Sequence, residues 1–250
     1  MDAGPDGWGR ALYVQVLDAL RLAPDAHLLD VGCGNGELCR LASDRGLLVT
    51  GVDADPDALR QTATLVPRAR LYRARLPELP LADGEAGAVS CVQVLMHLAN
   101  PLVALRELAR VGAEGAPVAV TVWGPPEQCA VGGFGEALAP ILGPPPWRYG
   151  AARGQPAGPP PLSDAGRLTK LATMAGLAVD TERDVHCEFG YPDERALLAS
   201  LHAAELGRRA VAVAGRVRVR RAVRDGMARY RVADGGYRLE NTFRMLVARA

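Results

Sequence analysis

The stretch "LLDVGCGNGEL", residues 28–38, decides how the rest of the chain is read. A short apolar run ends in glycines at alternate positions, Gly32, Gly34 and Gly36. Glycine has no Cβ, so such a run lets another group lie close against the backbone. The residues before it read as a buried strand, and "GELCRLASDRG" (36–46) reads as the helix that follows. A strand–glycine turn–helix unit is where open α/β sheets bind ligands, at the carboxyl ends of their strands.

What ligand the turn suits follows from its neighbours. "LLVTGVDA" (47–54) reads as a second strand, and Asp53 falls at its end, 17 positions past Gly36. A carboxylate there can accept two hydrogen bonds from the vicinal hydroxyls of a ribose, so a nucleoside is expected. The dinucleotide fingerprint is G-x-G-x-x-G. Here the third glycine comes at 36 and position 37 is Glu. Glu37 puts negative charge at the helix start, where a pyrophosphate would sit. An uncharged or cationic linkage fits better, and S-adenosylmethionine has a sulfonium and no phosphate.

The pattern continues outward. "DPDALRQTATL" (55–65) is a helix with Asp55 as N-cap and Pro56 first. "ARLYRA" (69–74), "AGAVSCVQV" (86–94) and "APVAVTVW" (116–123) are expected strands, and "NPLVALRELARV" (100–111) is a helix capped by Asn100. Strand and helix alternate from 28 to 123, which predicts a mostly parallel sheet with helices on both faces. A helix over 11–21 precedes this core. After Trp123 the chain turns Pro- and Gly-rich; 143–162 reads as loop, with helical character in 127–142. A helix in 163–177, a strand over 178–191, helices over 193–206 and 208–229 and a final strand over 236–250 follow. The expectation is one domain over 1–250: a helix within 1–27, a cofactor-binding core over 28–123 and a substrate side over 124–250.

The motifs resemble those of class I S-adenosylmethionine-dependent methyltransferases. Asp30 to Gly36 look like the first signature, "VTGVDADPDAL" (49–59) like the second, and "LPLADGEAGAVSCVQVLMHLANP" (79–101) like the approach to strand four. The "VWG-P" turn at 122–125 and the ending "GGYRLENTFR" (235–244) resemble small-molecule members of actinobacterial type. The resemblance implies a Rossmann-like seven-stranded sheet with an antiparallel last strand. It implies S-adenosylmethionine as cofactor, S-adenosylhomocysteine as product and no metal. Asp30 would orient the loop or reach the methionine amino group. Gly32, Cys33, Gly34, Asn35 and Gly36 would lie against the methionine part and the ribose, which Asp53 would hold. Ala54 would pack on the adenine, Ala74 and Arg75 would lie near its amino group, and Cys91, Val92 and Gln93 would stand beside the sulfonium. The family has an acidic residue near Ala74; here Arg73 and Arg75 flank it, so adenine recognition is expected from backbone groups.

His97, just past strand four, is the candidate general base; its alternative is to pack or cap the next helix. Trp123, Cys129, Trp147, His186 and Tyr191 are the candidate substrate residues, with Phe134 and Tyr149 as further aromatic groups able to roof a pocket. Each has an alternative as core packing or, for Cys129, as a small buried thiol. Six arginines lie between 208 and 221, but no aromatic residue is interleaved, and the formal net charge is +1. A nucleic-acid partner is not expected. Leu206, Ala210, Val213, Val217 and Met227 are read as a narrow apolar stripe of a solvated helix. No apolar run approaches the ~20 residues of a membrane span, and the N-terminal segment has no signal-peptide h-region. Five cysteines without metal spacing suit a reducing cytoplasm. The expected partner is a small-molecule substrate, with a homodimer left open. The expected function is methyl transfer in natural-product biosynthesis. The rival readings are a peptide-modifying methyltransferase, a cofactor-binding protein with a structural or non-methylating role, and an NAD-linked reductase.

Overall fold

Local chemistry starts and stops the elements of this chain. The computed structural model describes residues 9–143, 161–164 and 166–250. In chain order the elements are α1 (Arg10–Leu20), β1 (His27–Val31), α2 (Glu37–Asp44), β2 (Leu48–Asp53), α3 (Pro56–Leu65), β3 (Arg70–Arg73), β4 (Ala88–Val92), α4 (Pro101–Val111) and β5 (Pro117–Trp123). They continue with α5 (Gly133–Leu142), α6 (Arg167–Met174), β6 (Ala178–Tyr191), α7 (Glu194–Ala203), α8 (Glu205–Gly226) and β7 (Tyr237–Arg249). Asp55 caps α3 by accepting from the Asp57 N–H, and Asn100 caps α4 by accepting from the Val103 N–H. Both helices begin with proline, whose missing N–H is no loss at that position.

The expected sheet forms. Its seven strands run β3-β2-β1-β4-β5-β7-β6. The first five pair in parallel, and β7 is antiparallel to β5. Strand order reverses between β1 and β4, so the glycine turn after β1 sits at the switch point where a crevice opens.

Two compact units divide the described chain. The larger holds Arg10–Trp123, Pro161–Val185 and Phe243–Ala250. Within it, Leu29 and Val31 of β1, Val89 and Cys91 of β4 and Val118 of β5 share an apolar cluster with Leu105 and Leu108 of α4 and Leu168 of α6. Each fully buried leucine here contributes roughly 1.5–3 kcal/mol. Alternate strand residues point to the opposite face, where α1 and α2 meet. The buried face of α1 carries Leu12, Val16, Leu17 and Leu20.

The other unit holds Gly9 and the described residues of 124–143 and 186–242. Here α5 and α8 pack closely: a Cβ on Gly226 would stand 2.5 Å from the Ala137 Cβ. The stripe expected on the arginine-rich helix does not form as one face. Ala210 and Met227 are buried, but Val213 and Val217 are 67% and 87% exposed. Gly215, at φ 75° and ψ 159°, breaks α8, so the helical period does not carry across it. Val219 and Val223 are buried in the second half instead. No helix among the described residues is long and apolar enough to cross a membrane.

Candidate functional site

The glycine turn is tied down by the end of β2 and by a side chain of α3. The N–H groups of Gly32 and Cys33 both donate to the Val52 carbonyl, at 2.7 and 3.1 Å. The Gly34 N–H donates to Asp53 Oδ2 at 2.8 Å, and the Asp55 N–H donates to Oδ1 at 2.9 Å. The Asp53 carbonyl accepts from the Ala74 N–H at 3.1 Å. Thus Ala74 is tied to Asp53 beside the loop. Arg73 and Arg75 are exposed.

All three loop glycines adopt left-handed φ, at 75°, 54° and 83° for Gly32, Gly34 and Gly36. Only one clears space for a ligand. A Cβ on Gly32 would lie 2.3 Å from Val94 Cγ2, and one on Gly36 would lie 2.7 Å from the Thr62 hydroxyl and 2.9 Å from its Cα. A Cβ on Gly34 would meet no described atom within 4 Å. Gly32 and Gly36 therefore let the protein pack against itself, and Gly34 leaves an open face above the Asp53 carboxylate. The Thr62 hydroxyl also donates to the Gly34 carbonyl at 2.9 Å. Asn35 accepts weakly from the Glu37 N–H, at 3.4 Å, and steadies the start of α2.

Asp30 lies beneath the turn and is buried. Ser90 Oγ donates to its Oδ1 at 2.7 Å, and the Cys39 thiol donates to Oδ2 at 3.4 Å. Burial outweighs both bonds and pushes its pKa up to about 6. The folded protein holds the Asp30 proton more tightly than the unfolded chain, so this stabilisation is complete below pH 3.8 and fades as pH rises through about 6. Relative to Asp30→Asn, the parent is expected to lose about 3 kcal/mol of stability from about pH 4 to about pH 7. Denaturant unfolding across that range checks this; parallel profiles for the two proteins would contradict it. Tyr13 of α1 lies close enough to feel Asp30, Glu37 and Cys39, and burial raises its own pKa.

The Cys91 side chain enters the apolar cluster against α4 and α6, and burial raises its pKa, so only its backbone can serve the site. Gln93, just past β4, is one of the non-glycine residues with left-handed φ, at 60°. That conformation costs about 1–2 kcal/mol for a residue with a Cβ. Its N–H donates to the Thr121 carbonyl at 3.0 Å, and its Nε2 donates to Thr121 Oγ1 at 3.1 Å. His97 ends a 3₁₀ turn over Leu95–His97 and is exposed; partial burial lowers its pKa. It does not cap α4, because Asn100 does.

Trp123 ends β5 half-buried and stacks on Phe243, with ring centroids 4.5 Å apart. Cys129, His186 and Tyr191 belong to the smaller unit. The Cys129 thiol points at the Thr242 and Gly124 carbonyls, at 3.3 and 3.8 Å, and burial raises its pKa. It is held as a donor and not prepared as a nucleophile. His186 Nδ1 pairs with Thr242 Oγ1 at 3.1 Å, and the buried Tyr191 hydroxyl pairs with Ser200 at 3.3 Å. Trp147 lies outside the described residues.

Sequence reading missed Tyr13, Thr62, Ser90, Val94 and Thr121. Four of them are ordinary residues within helices and strands and Val94 lies just past β4, and only the contacts just described single them out.

A methyltransferase-domain family model matches residues 29–120, the stretch that holds the glycine turn and the Asp53 carboxylate across it. Over these residues the chain is similar to a methyltransferase domain. The chain is 36% identical over 94 residues to a probable S-adenosylmethionine-dependent methyltransferase of Mycobacterium tuberculosis, covering 36% of this chain and 34% of that protein. It is 28% identical over 116 residues to an O-methyltransferase of Pyrenophora dematioidea, covering 44% and 43%. The chain thus matches these curated relatives over less than half of their length. Among solved structures, a putative methyltransferase of Bacillus halodurans superposes with a TM-score of 0.61 at 13% identity, covering 95% of this chain and 97% of that one. The [4+2]-cyclase SpnF superposes with a TM-score of 0.58 at 21% identity, covering 95% and 80%. These likenesses concern the fold alone.

Proposed function

We propose that the protein transfers a methyl group from S-adenosylmethionine to a small-molecule acceptor in natural-product biosynthesis, as a single functional domain in the cytoplasm. The open backbone at Gly34, directly over the Asp53 carboxylate, carries this reading. Each Asp53 oxygen accepts one backbone N–H and keeps a lone pair for a ribose hydroxyl. Asp30 offers a buried negative charge that an ammonium group would satisfy, and Glu37 disfavours a pyrophosphate at the same turn. Ala54 and the Ala74 backbone supply the adenine side. Asn35 and Cys33 belong to the turn, and Val92, at the end of β4, would stand on the sulfonium side.

The cofactor, when bound, supplies an activated methyl on a positively charged sulfur. The protein's work is then to align the acceptor and exclude water, and alignment alone can supply roughly 7–11 kcal/mol. His97 is the base for an acceptor that must lose a proton, and its lowered pKa keeps it neutral and able to accept at physiological pH. Trp123, Cys129, Trp147, His186, Tyr191 and Arg75 are assigned to the acceptor and cofactor surroundings on their sequence positions alone.

Fold alone does not choose between this reading and a non-methylating one, since a [4+2]-cyclase has a similar fold. The cofactor test is calorimetric titration with S-adenosylhomocysteine, with NADH as the control. Binding of the first and not the second is expected. Binding of NADH, or of neither, would overturn the reading.

A further inference from the structure

We infer that Gln93 orients the methyl acceptor, and that the acceptor presents an O–H or N–H to its side-chain oxygen. The inference rests on the methyltransferase reading above and deepens it. Gln93 follows β4 at the same sheet edge that carries Gly32–Gly36 and Asp53. Its neighbour Val94 fills the space over Gly32, so Gln93 stands one residue from the glycine turn. Main chain and amide nitrogen are both anchored to Thr121. That pairing leaves Oε1, which is buried and has no hydrogen-bond partner among the described residues.

Two costs therefore meet in one residue: a left-handed backbone and a buried acceptor without a donor. Repacking with an apolar side chain would remove the second, so the residue type points to a ligand that supplies the donor. The ribose and amino ends of the cofactor are matched to Asp53 and Asp30. The missing donor then comes from the acceptor.

The chemistry of an amide narrows the acceptor class. Amide oxygen is a hydrogen-bond acceptor and too weak a base to take a proton. An acceptor that points its O–H or N–H at Oε1 has a lone pair turned away from Gln93 and free to face the methyl. Gln93 thus aligns a heteroatom, and the proton is left to His97 or to water. A carbon acceptor without such a group gains nothing from it.

The first test is a crystal structure of the parent with S-adenosylhomocysteine. A water molecule or additive hydroxyl donating to Oε1 is expected. A donor from the cofactor or from the protein on Oε1 would overturn the inference. The second test compares Gln93→Met, which keeps the shape and loses the acceptor atom, with Gln93→Glu, which keeps an oxygen there. Both are assayed for S-adenosylhomocysteine formation against phenols, primary and secondary amines, and 1,3-dicarbonyl carbon acids. Methylation of O–H or N–H acceptors is expected, with kcat/KM in Gln93→Met lowered on the order of tenfold or more and largely recovered in Gln93→Glu. Affinity for S-adenosylhomocysteine by calorimetry should stay within about twofold in both. Unchanged turnover in Gln93→Met, turnover of carbon acids alone, or a parallel loss of cofactor affinity would each defeat it. Failure of the parent itself to bind S-adenosylhomocysteine would instead defeat the methyltransferase reading.

Discussion

Asp53→Ala weakens S-adenosylhomocysteine binding at least a hundredfold, the largest expected effect on ligand affinity. The carboxylate is the proposed acceptor for both ribose hydroxyls, and hydrogen bonds to a charged group contribute about 1.5–3 kcal/mol each. Losing two of them amounts to about 3 kcal/mol or more, which is two powers of ten in Kd. The structure adds a second consequence. Asp53 also accepts from the N–H groups of Gly34 and Asp55, and the alanine variant leaves both without that partner. Stability should fall by about 1–3 kcal/mol, which for a chain of this size lowers Tm by roughly 2–4 °C for each kcal/mol. Calorimetric titration together with thermal unfolding separates the two effects. A variant that is destabilised but binds S-adenosylhomocysteine like the parent would show that Asp53 serves the loop and not the ribose.

Gly36→Ala has the largest expected effect on stability. Its left-handed φ of 83° costs a residue with a Cβ about 1–2 kcal/mol. The new methyl would also lie 2.7 Å from the Thr62 hydroxyl and 2.9 Å from its Cα. A side chain could rotate away, but the Cα belongs to the α3 backbone, so the loop or the helix must move. Overpacking of this kind costs about 1–3 kcal/mol. A total loss of about 2–5 kcal/mol is expected by denaturant unfolding. Thr62→Ser removes the Cγ2 methyl and should return part of it. By contrast, Gly34→Ala meets no described atom, so its strain is that of φ alone and its main effect should fall on the ligand. Equal stability of the Gly34 and Gly36 variants would contradict this division of roles.

The legible part of the fold was local. Asp55 and Pro56, and Asn100 and Pro101, start their helices through contacts with residues two or three positions away. β1, β4 and β5 read as mostly apolar and are buried along nearly their whole length because a parallel strand is covered on both faces. Asp53 could be found because the chain brings it to the end of β2, next to β1, by the rule that orders such sheets.

What could not be read depended on contacts between distant residues of common type. Thr62 reaches Gly34 across 28 positions, Ser90 reaches Asp30 across 60, and Gln93 reaches Thr121 across 28. Nothing in a threonine or serine marks it for such a partner. Val213 and Val217 were misread for a related reason. Helical spacing assumes an unbroken helix, and the left-handed Gly215 shifts the buried face to Val219 and Val223.

The sequence by itself determined the order of strands and helices, the place of the glycine turn and the carboxylate across it. Those follow from hydrophobic period, caps and turn residues, which act within a few positions of the chain. Only the tertiary structure decided what each loop glycine is for: Gly32 admits Val94, Gly36 admits Thr62, and Gly34 is left open. It alone decided that Asp30 is buried enough to hold its proton up to about pH 6, and that Gln93 keeps an acceptor without a donor. Desolvation and steric exclusion depend on every atom within a few ångströms, and those atoms come from strands and helices far apart in the chain.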